Sequence, residues 1–300
     1  GYRLGNEPGW DSTHHFGGGI YCSNSQPTLI NLRLFNNNVS VSGGGIRINQ
    51  ANPIMENIII DQNHASYSGG GIACSGSSIT MTNITVENNS VDSGDPGMVG
   101  DGGGINIENS INVNLENIII RNNSTRYRGG GLNIINSEVN LINSVITNNI
   151  DTYSPNAQVL IDVYPDIDNV NLYTQAFHNC TITDNIYINN AYNSASLIII
   201  NSIIPNSIID NSGSTDINIS YSIVDAIWEG TGNIDADPFF TNPDNGDYTL
   251  VDYSSAIGAG TSDGTPSTDI EGNPRPNPAG SNPDMGAYEN TRSVPQLHTV

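Results

Sequence analysis

The chain has 300 residues, of which 30 are Asp or Glu and only 8 are basic, so its formal net charge is -22 at pH 7. Every basic residue is an arginine, because the sequence contains no lysine. This charge disfavours nucleic acid and anionic membrane surfaces as partners, since phosphate recognition needs clustered Lys and Arg. No stretch of about 18 apolar residues occurs, so we predict no membrane span. The polar composition, rich in Asn, Ser and Thr, favours an extracellular protein.

Residues 17–149 repeat one short pattern five times. A glycine triplet begins at positions 17, 43, 69, 102 and 129, at spacings of 26, 26, 33 and 27 residues. An apolar alternation that ends in a pair of polar residues, usually Asn-Asn, keeps step with it at 32–37, 58–63, 84–89, 118–123 and 144–149, and 180–185 looks like a sixth copy. Such periods indicate stacked repeats. Two period-2 runs in each repeat are typical of one turn of a parallel β-solenoid.

We therefore predict an all-β fold, a right-handed single-stranded parallel β-helix over residues 1–228. Stacked turns would share one apolar core, because no turn can bury its apolar face alone. Three inward columns follow from the alternation: Leu32, Ile58, Ile84 and Ile118; Leu34, Ile60, Val86 and Ile120; Ile20, Ile46, Ile72, Ile105 and Leu132. Ser77 is expected in an outward turn.

Two polar features of the repeat are predicted to be structural. An Asn column, in which side-chain amides bond from turn to turn, comprises Asn37, Asn63, Asn89, Asn123 and Asn149. The glycine triplets are expected to supply a positive φ and close backbone approach. A phosphate-binding reading is disfavoured, because that motif opens a helix and strand-like residues follow each triplet here.

The outward column just before the Asn pair contains the candidate catalytic and metal-binding residues. It contains Asp61, Glu87 and Arg121 on successive turns, which we take as candidate catalytic residues. Paired carboxylates could bind calcium at Asp61 and Glu87, with the arginine meeting an acidic sugar. They could instead serve glycoside hydrolysis. The simpler alternative is a solvated column with a weak surface ion pair.

Two insertions interrupt the period, at 90–101 and around 150–178, and both are expected to project from one side. Candidate substrate contacts in and near them are Asp92, Asp95, Asp101, Arg126 and Arg128. No carboxylate motif surrounds His14, His15 or His64 in the sequence. A role in loops or caps is therefore favoured for them over metal binding or base catalysis.

The segment 229–290 is rich in Asp, Pro and Gly and is predicted to cap the solenoid, because an uncapped end exposes strand edges. Its carboxylates suggest either turn chemistry or a structural calcium site: Asp235, Asp237, Asp244, Asp247, Asp269, Glu271 and Asp284. Residues 291–300 are predicted to be a linker. The first ten residues lack a signal-peptide pattern, so we expect a mature start or a fragment of a precursor.

Five phrases in Asp237–Glu289 carry a family resemblance. They are "DPFF", "NGDYTL", "SSAIGAG", "TDIEGNPR" and "DMGAYE". In this order they resemble the C-terminal region of secreted bacterial β-helix proteins of the choice-of-anchor type, although Gly258 stands where that family usually has Asp. The glycine-rich turns also resemble those of polymorphic outer-membrane and autotransported β-helices. The resemblance implies a right-handed β-helix, secretion and attachment to the cell surface, but no single activity.

Three functions remain open from the sequence. The first is a secreted, cell-surface protein with a binding, adhesive or envelope-structural role that contacts an extracellular glycan or another surface partner. The second is a polysaccharide lyase or glycoside hydrolase that acts on an acidic polysaccharide at the Asp61, Glu87 and Arg121 face. The third is a self-assembling filament or layer subunit. Calcium is the one cofactor that the sequence suggests.

The three cysteines are expected to be free and buried. Cys22 and Cys74 share a column with one residue between them, so their Cα atoms should lie about 9.6 Å apart, beyond the reach of a disulfide. We predict that alkylation leaves the native protein unlabelled and adds three labels after denaturation. A disulfide found by mass spectrometry without reductant would contradict the alignment of the turns.

Overall fold

The protein is a parallel β-solenoid of about six turns. A computed structural model describes residues 16–92, 100–153, 157–164, 173–189, 195–213 and 215–297, together with the backbone of Tyr2–Leu4. The all-β parallel solenoid that the repeat predicts is confirmed. Its right-handed sense stays a prediction. No helix of the described chain has the length and hydropathy needed to cross a membrane.

The strands are short and recur in groups of three per regular turn. Those of the regular turns are β1 (Tyr2–Leu4), β2 (Ile20–Ser23), β3 (Thr28–Phe35), β4 (Asn38–Val39), β5 (Ile46–Asn49), β6 (Ile54–Asp61), β7 (His64–Ala65), β8 (Ile72–Ser75), β9 (Thr80–Glu87), β10 (Ser90–Val91), β11 (Ile105–Glu108), β12 (Val113–Arg121) and β13 (Ser124–Thr125).

The remaining strands belong to the later turns and the C-terminal segment. They are β14 (Leu132–Ile135), β15 (Val139–Ile142), β16 (Val145–Thr147), β17 (Ile150–Asp151), β18 (Val159–Asp162), β19 (Tyr173–His178), β20 (Thr181–Ile182), β21 (Ile186–Asn189), β22 (Ala195–Ile200), β23 (Ile208–Asp210), β24 (Asp216–Ser220), β25 (Phe240–Asn242) and β26 (Asp247–Leu250). A short 3-10 helix, Pro243–Asn245, joins the last two.

Three parallel sheets form the sides of the solenoid. The nine-stranded sheet has the order β1-β2-β5-β8-β11-β14-β18-β21-β23. The long-strand sheet has the order β24-β22-β19-β15-β12-β9-β6-β3, and β16 and β20 extend it beside β12. The five-stranded sheet has the order β17-β13-β10-β7-β4. Strands β25 and β26 pair separately and antiparallel.

The corners of each turn use left-handed backbone. Asn31, Asn57, Asn83 and Asn117 have φ values between 55° and 57° and bend the long strands at one position. A second column of left-handed residues is formed by the first member of each polar pair, before the five-stranded sheet. A third column follows the strands of the nine-stranded sheet, and in both columns Asn or Gln occupies most positions. Asn tolerates this conformation because its short polar side chain bonds locally. The Asn-rich composition is therefore a consequence of the number of corners.

The glycine triplets hold the fourth corner. Gly43 has a φ of 71°, which a residue with a side chain rarely adopts. A Cβ on Gly44 would lie 2.2 Å from the carbonyl oxygen of Gly70 on the next turn, and one on Gly45 would lie 2.8 Å from Ile60 Cγ2. Both separations are far inside van der Waals contact. The first glycine is needed for its backbone angle, and the other two are needed for close approach.

The amides of the Asn pairs bond from turn to turn. Asn63 Nδ2 donates to Asn89 Oδ1 at 3.0 Å, and Asn89 Nδ2 donates to Asn123 Oδ1 at 2.9 Å. At one end of this column, Asn37 Nδ2 donates to Asn63 Oδ1. At the other end, Asn149 Nδ2 donates to Asp184 Oδ2 at 2.6 Å. Burial raises the pKa of Asp184 to about 6.

The sixth copy of the repeat differs from its expected alignment. Its match to 144–149 would place Asn185 in the Asn column, but Asp184 accepts the bonds there. Asn185 accepts a bond from the backbone N–H of Ser207 instead. The left-handed residue that precedes the Asn in the earlier turns has no counterpart with positive φ here. This corner is therefore one residue shorter than the corresponding corner of the earlier turns.

The inward columns are confirmed, and they form one continuous core. Ile58, Ile60, Ile84 and Val86 are 1% exposed or less, whereas Leu32 on the first turn is only partly buried. Cys22, Ile48 and Cys74 pair in one inward row across adjacent strands. All three cysteines are free and buried, and burial raises the pKa of the Cys180 thiol to about 12.

Ser77 was expected to point outward, and that expectation is wrong. The residue is 4% exposed. Its Oγ accepts a bond from the Ala51 N–H at 3.1 Å and donates to the carbonyl oxygen of Ser75 at 2.8 Å. Ser110 and Ser137 continue the same serine column on later turns. The alternation could not reveal this position, because it lies in a corner where the period of two is broken.

The predicted common origin of the two insertions holds only for the start of the second one, which leaves the five-stranded sheet through β17. Residues 90–101 do leave from the five-stranded sheet, through β10. The second interruption contains a full strand, β18, which pairs with β14 and β21 in the nine-stranded sheet. Its longer break, 163–172, therefore lies between β18 and β19 at a different corner; residues 165–172 are outside the described part of the chain.

The C-terminal segment packs along the side of the later turns. Asn143 Nδ2 donates to the carbonyl oxygen of Thr268 at 2.7 Å, and Asn201 Nδ2 donates to that of Thr261 at 2.7 Å. Both asparagines belong to the bent column of the long-strand sheet. Trp228 lies against the last part of the core. The boundaries at residues 228 and 290 stay predictions.

We predict that Ile60→Asp prevents folding, because an unpaired charge in the core is strongly unfavourable. Ser77→Asp should also destabilise the protein, because the carboxylate cannot donate to the Ser75 carbonyl oxygen and its charge would be buried. Thr80→Asp is the control, since Thr80 is exposed on the long-strand sheet. Circular dichroism during urea unfolding measures all three. Equal damage at Thr80 and Ile60 would contradict the register.

Candidate functional site

The outward column predicted for chemistry contains two ion pairs. Arg33 Nη2 lies 3.1 Å from Asp61 Oδ2, and Arg121 Nη2 lies 2.7 Å from Glu87 Oε2. Strand pairing places Asp61 beside Glu87, and Glu87 beside Arg121, as the repeat predicts. Asp61 is 5% exposed and also accepts a bond from Asn88 Nδ2. It therefore lies much deeper than an outward position implies.

Each of these carboxylates already has a cationic partner. Two neighbouring carboxylates repel each other, and a bound cation would relieve that repulsion. In the structure, Arg33 and Arg121 already offset it. Among the described residues, no group of three or more His, Cys, Asp and Glu side chains is arranged to hold a metal. Calcium binding at Asp61 and Glu87 stays a prediction.

Asp101 and Arg128 are not in the outward column that contains Asp61. They pair as neighbours in the row that precedes the glycine triplets. Arg128 contacts Asp101 at 3.5 Å and Asp162 at 3.4 Å. Burial raises the pKa of Asp101, and Arg128 opposes that shift. Asp95, His14 and His15 are outside the described residues. The proposed substrate contacts therefore do not form one group.

Two of those proposed contacts do meet in a groove over the five-stranded sheet. We call it the His64 groove; it has a volume of about 520 Å³ and is lined by His64, Ser90, Val91, Asp92, Ser124, Thr125, Arg126 and Thr152. His64, Ser90 and Ser124 occupy the same outward position on successive strands. His64 Nδ1 lies 3.1 Å from Ser90 Oγ. The groove therefore runs along the solenoid axis.

A pair of tyrosines lies beside the His64 groove. The Tyr127 and Tyr153 ring centroids are 5.3 Å apart at an interplanar angle of 43°. Tyr153 is 74% exposed. The Arg126 guanidinium carbon lies 5.5 Å from the Tyr127 ring centroid, within cation–π range. Thr152 Oγ1 donates to the Arg126 carbonyl oxygen at 3.1 Å and links these turns.

A smaller cavity lies where the C-terminal segment meets the solenoid. This seam pocket has a volume of about 260 Å³; it is lined by Ile119, Arg121, Asn122, Val145, Thr147, Asn148, Asp244, Asn245, Gly246, Tyr248 and Tyr288. The Tyr248 hydroxyl hydrogen-bonds with Thr147 Oγ1. Burial raises the pKa of Tyr288 to about 12. The C-terminal segment therefore covers the end of the Asp61, Glu87 and Arg121 column.

The residues of the C-terminal phrases converge in one buried polar network. Arg275 Nε donates to Glu289 Oε2 at 2.9 Å, and Arg275 Nη1 donates to Asn143 Oδ1 at 2.8 Å. Asp269 Oδ1 accepts bonds from two backbone N–H groups of its own turn, which is the turn chemistry considered from the sequence. Asp284 accepts bonds from the N–H groups of Gly258 and Asn290, at 2.7 and 2.6 Å.

This network contains more carboxyl groups than cationic groups. Asp269, Asp284 and Glu289 face one guanidinium, that of Arg275. Burial, followed by the nearby Glu289, raises the pKa of Asp284 to about 7. One of the three carboxyl groups is therefore partly protonated at neutral pH. The network fastens the C-terminal segment to Asn143, a residue of the solenoid.

Sequence reasoning missed the main lining of the His64 groove. Ser90, Ser124 and Thr152 were not considered, and His64 was assigned to a loop or cap. An alignment of the repeats could have found them, because His64, Ser90 and Ser124 each follow an Asn pair. The pairing of Tyr127 with Tyr153 had the same signal, because the two tyrosines are 26 residues apart and hold the same place after the paired strands β13 and β17.

No protein-family model, curated protein or solved structure matches this chain.

We expect Asp284→Asn to flatten the dependence of stability on pH. The folded-state pKa of about 7 lies above the unfolded value of about 3.9, so stability is fully present below pH ~3.9 and is lost as the pH rises towards 7. The loss between pH 5 and pH 7 is at most about 3 kcal/mol. Urea unfolding across this range measures it.

The control for this experiment is Asp237→Asn. Its carboxylate accepts a turn bond from the Phe239 N–H at 2.8 Å, in an exposed position. This variant should keep the wild-type pH profile. An Asp284→Asn protein whose profile also matches the wild type would rule out the protonated carboxyl.

Proposed function

We propose that the protein is a secreted, cell-surface β-solenoid that binds glycans in the His64 groove. The observation that carries this proposal is the exposed Tyr153 ring, packed on Tyr127 beside a groove lined with hydroxyl, imidazole and guanidinium groups. An aromatic face favours the apolar CH face of a sugar ring. The polar side chains offer both donors and acceptors for sugar hydroxyls.

The shape of the groove favours an elongated ligand. The outward positions of His64, Ser90 and Ser124 repeat at the strand spacing of about 4.8 Å, so similar contacts recur along the axis. A pocket for one small molecule would instead converge on a few groups. Secretion and anchoring are proposed from the resemblance of the C-terminal phrases to choice-of-anchor proteins.

Binding is favoured over catalysis. A glycoside hydrolase needs two carboxyl groups that can act on the substrate, and a lyase needs a side chain free to abstract a proton. Asp61 and Glu87 are each held by an arginine, and the C-terminal segment partly covers their column. No observation favours self-assembly into a filament or layer.

The test is oligosaccharide binding by the intact chain, screened on a glycan array and quantified by calorimetry. We expect Tyr153→Ala to weaken binding about tenfold, which is a loss of ~1.4 kcal/mol, because the stacking platform is removed. Tyr253→Ala is the matched control, since Tyr253 is an exposed tyrosine of the C-terminal segment. Absence of binding to every glycan, or equal binding by both variants, would contradict the proposal.

A further inference from the structure

Arg126 lacks the carboxylate partner that most of the described arginines have. The described side chains of Arg33, Arg121, Arg128, Arg275 and Arg292 all form ion pairs with carboxylates. Arg47 is partly buried and also forms no ion pair among the described residues; its guanidinium carbon lies 6.0 Å from the Phe16 ring centroid, outside the His64 groove. Arg126 forms no ion pair in the described part of the chain, and its guanidinium lies over the Tyr127 ring.

An unpaired arginine is unexpected in this protein. Acidic residues outnumber basic ones by 30 to 8, so carboxylate partners are abundant. The aromatic face beneath Arg126 orients the guanidinium without occupying its N–H donors. Those donors form a planar fork that matches a carboxylate. Arg126 is therefore placed to receive an anionic group in the His64 groove.

The surroundings of Arg126 limit how much negative charge can bind. Asp92 lines the same groove, and its carboxylate repels a second anion. The other lining groups are the His64 imidazole, hydroxyls and an apolar side chain. The net charge of -22 also repels a polyanion, over a distance of about 10 Å at moderate ionic strength. One anionic group is favoured, and a continuous row of them is not.

We propose that the His64 groove selects glycans in which an isolated acidic sugar stands among neutral sugars, with its carboxylate on Arg126. This inference rests on the proposed function and adds the class of glycan to it. The neutral sugars on either side contact the Ser90, Ser124 and Tyr153 side chains. Asp92 disfavours homopolymers of uronic acid, since their next carboxylate would approach it.

The test uses three sets of oligosaccharides with the intact chain. The first set carries one uronic acid each, the second is the same set with the carboxyl group reduced to an alcohol, and the third contains oligomers of uronic acid alone. Calorimetry should give about tenfold tighter binding for the first set than for the second, the effect of one charge-assisted interaction. The third set should bind more weakly than the first.

Two groove variants and one control separate the possible outcomes. Arg126→Gln should abolish the preference, so that the acidic and reduced sets bind this variant equally. Asp92→Asn should strengthen binding of the uronic acid oligomers. Arg292→Gln removes the same charge from an exposed pair outside the groove, and it should keep the wild-type preference.

The inference and the proposed function fail in different ways. Equal binding of the acidic and reduced sets, or a preference that survives Arg126→Gln, would overturn the assignment of an acidic sugar and leave glycan binding intact. Tighter binding of the uronic acid oligomers than of the single-acid set would overturn the claim of an isolated charge. Absence of binding to all three sets would overturn both proposals.

Discussion

The close approach of successive turns at the glycine triplets is the constraint on which the rest of the structure depends. In the first four triplets, the second glycine lies against a carbonyl oxygen of the next turn, with no room for a side chain. A Cβ on the third glycine would lie 3.3 Å from the Asn amide of its own turn, as between Gly45 and Asn63 Nδ2. The glycine and Asn columns therefore interlock across the solenoid. Together they fix the register in which the apolar columns stack.

This packing also explains how the molecule accommodates its charge. Core positions are apolar and corner positions are amides or glycines, so the carboxylates are left for outward rows, loops and the C-terminal segment. Three of the arginines pair with buried carboxylates, those of Asp61, Asp162 and Glu289. Where no arginine is near, as at Asp184, the carboxyl group has a raised pKa. Arg126 has no carboxylate partner among the described residues, and its guanidinium lies over the Tyr127 ring.

The candidate groove is a product of the same stacking. Residues that are 26 or more positions apart in the chain, such as His64 and Ser90, become neighbours because they hold the same place in successive turns. A solenoid therefore builds a linear surface by repetition, and a substitution in one turn changes one position along it. The C-terminal segment, in contrast, brings together residues that the repeat does not align. It joins Arg275 to Asn143, far away in sequence, and covers part of the long-strand face.

The sequence by itself determined the fold class, because the spacing of the triplets and the alternation around Ile58 and Ile60 permit only stacked turns with that face inward. It also placed Asp61, Glu87 and Arg121 on adjacent strands, since their register follows from the repeat. Tertiary structure decided what those side chains meet: Arg33 pairs with Asp61, and the C-terminal segment reaches the end of the column. It also decided that Ser77 lies inside and that β18 lies within an apparent insertion. Periodicity ends at corners and breaks, and contacts there depend on chain segments that no repeat brings into register.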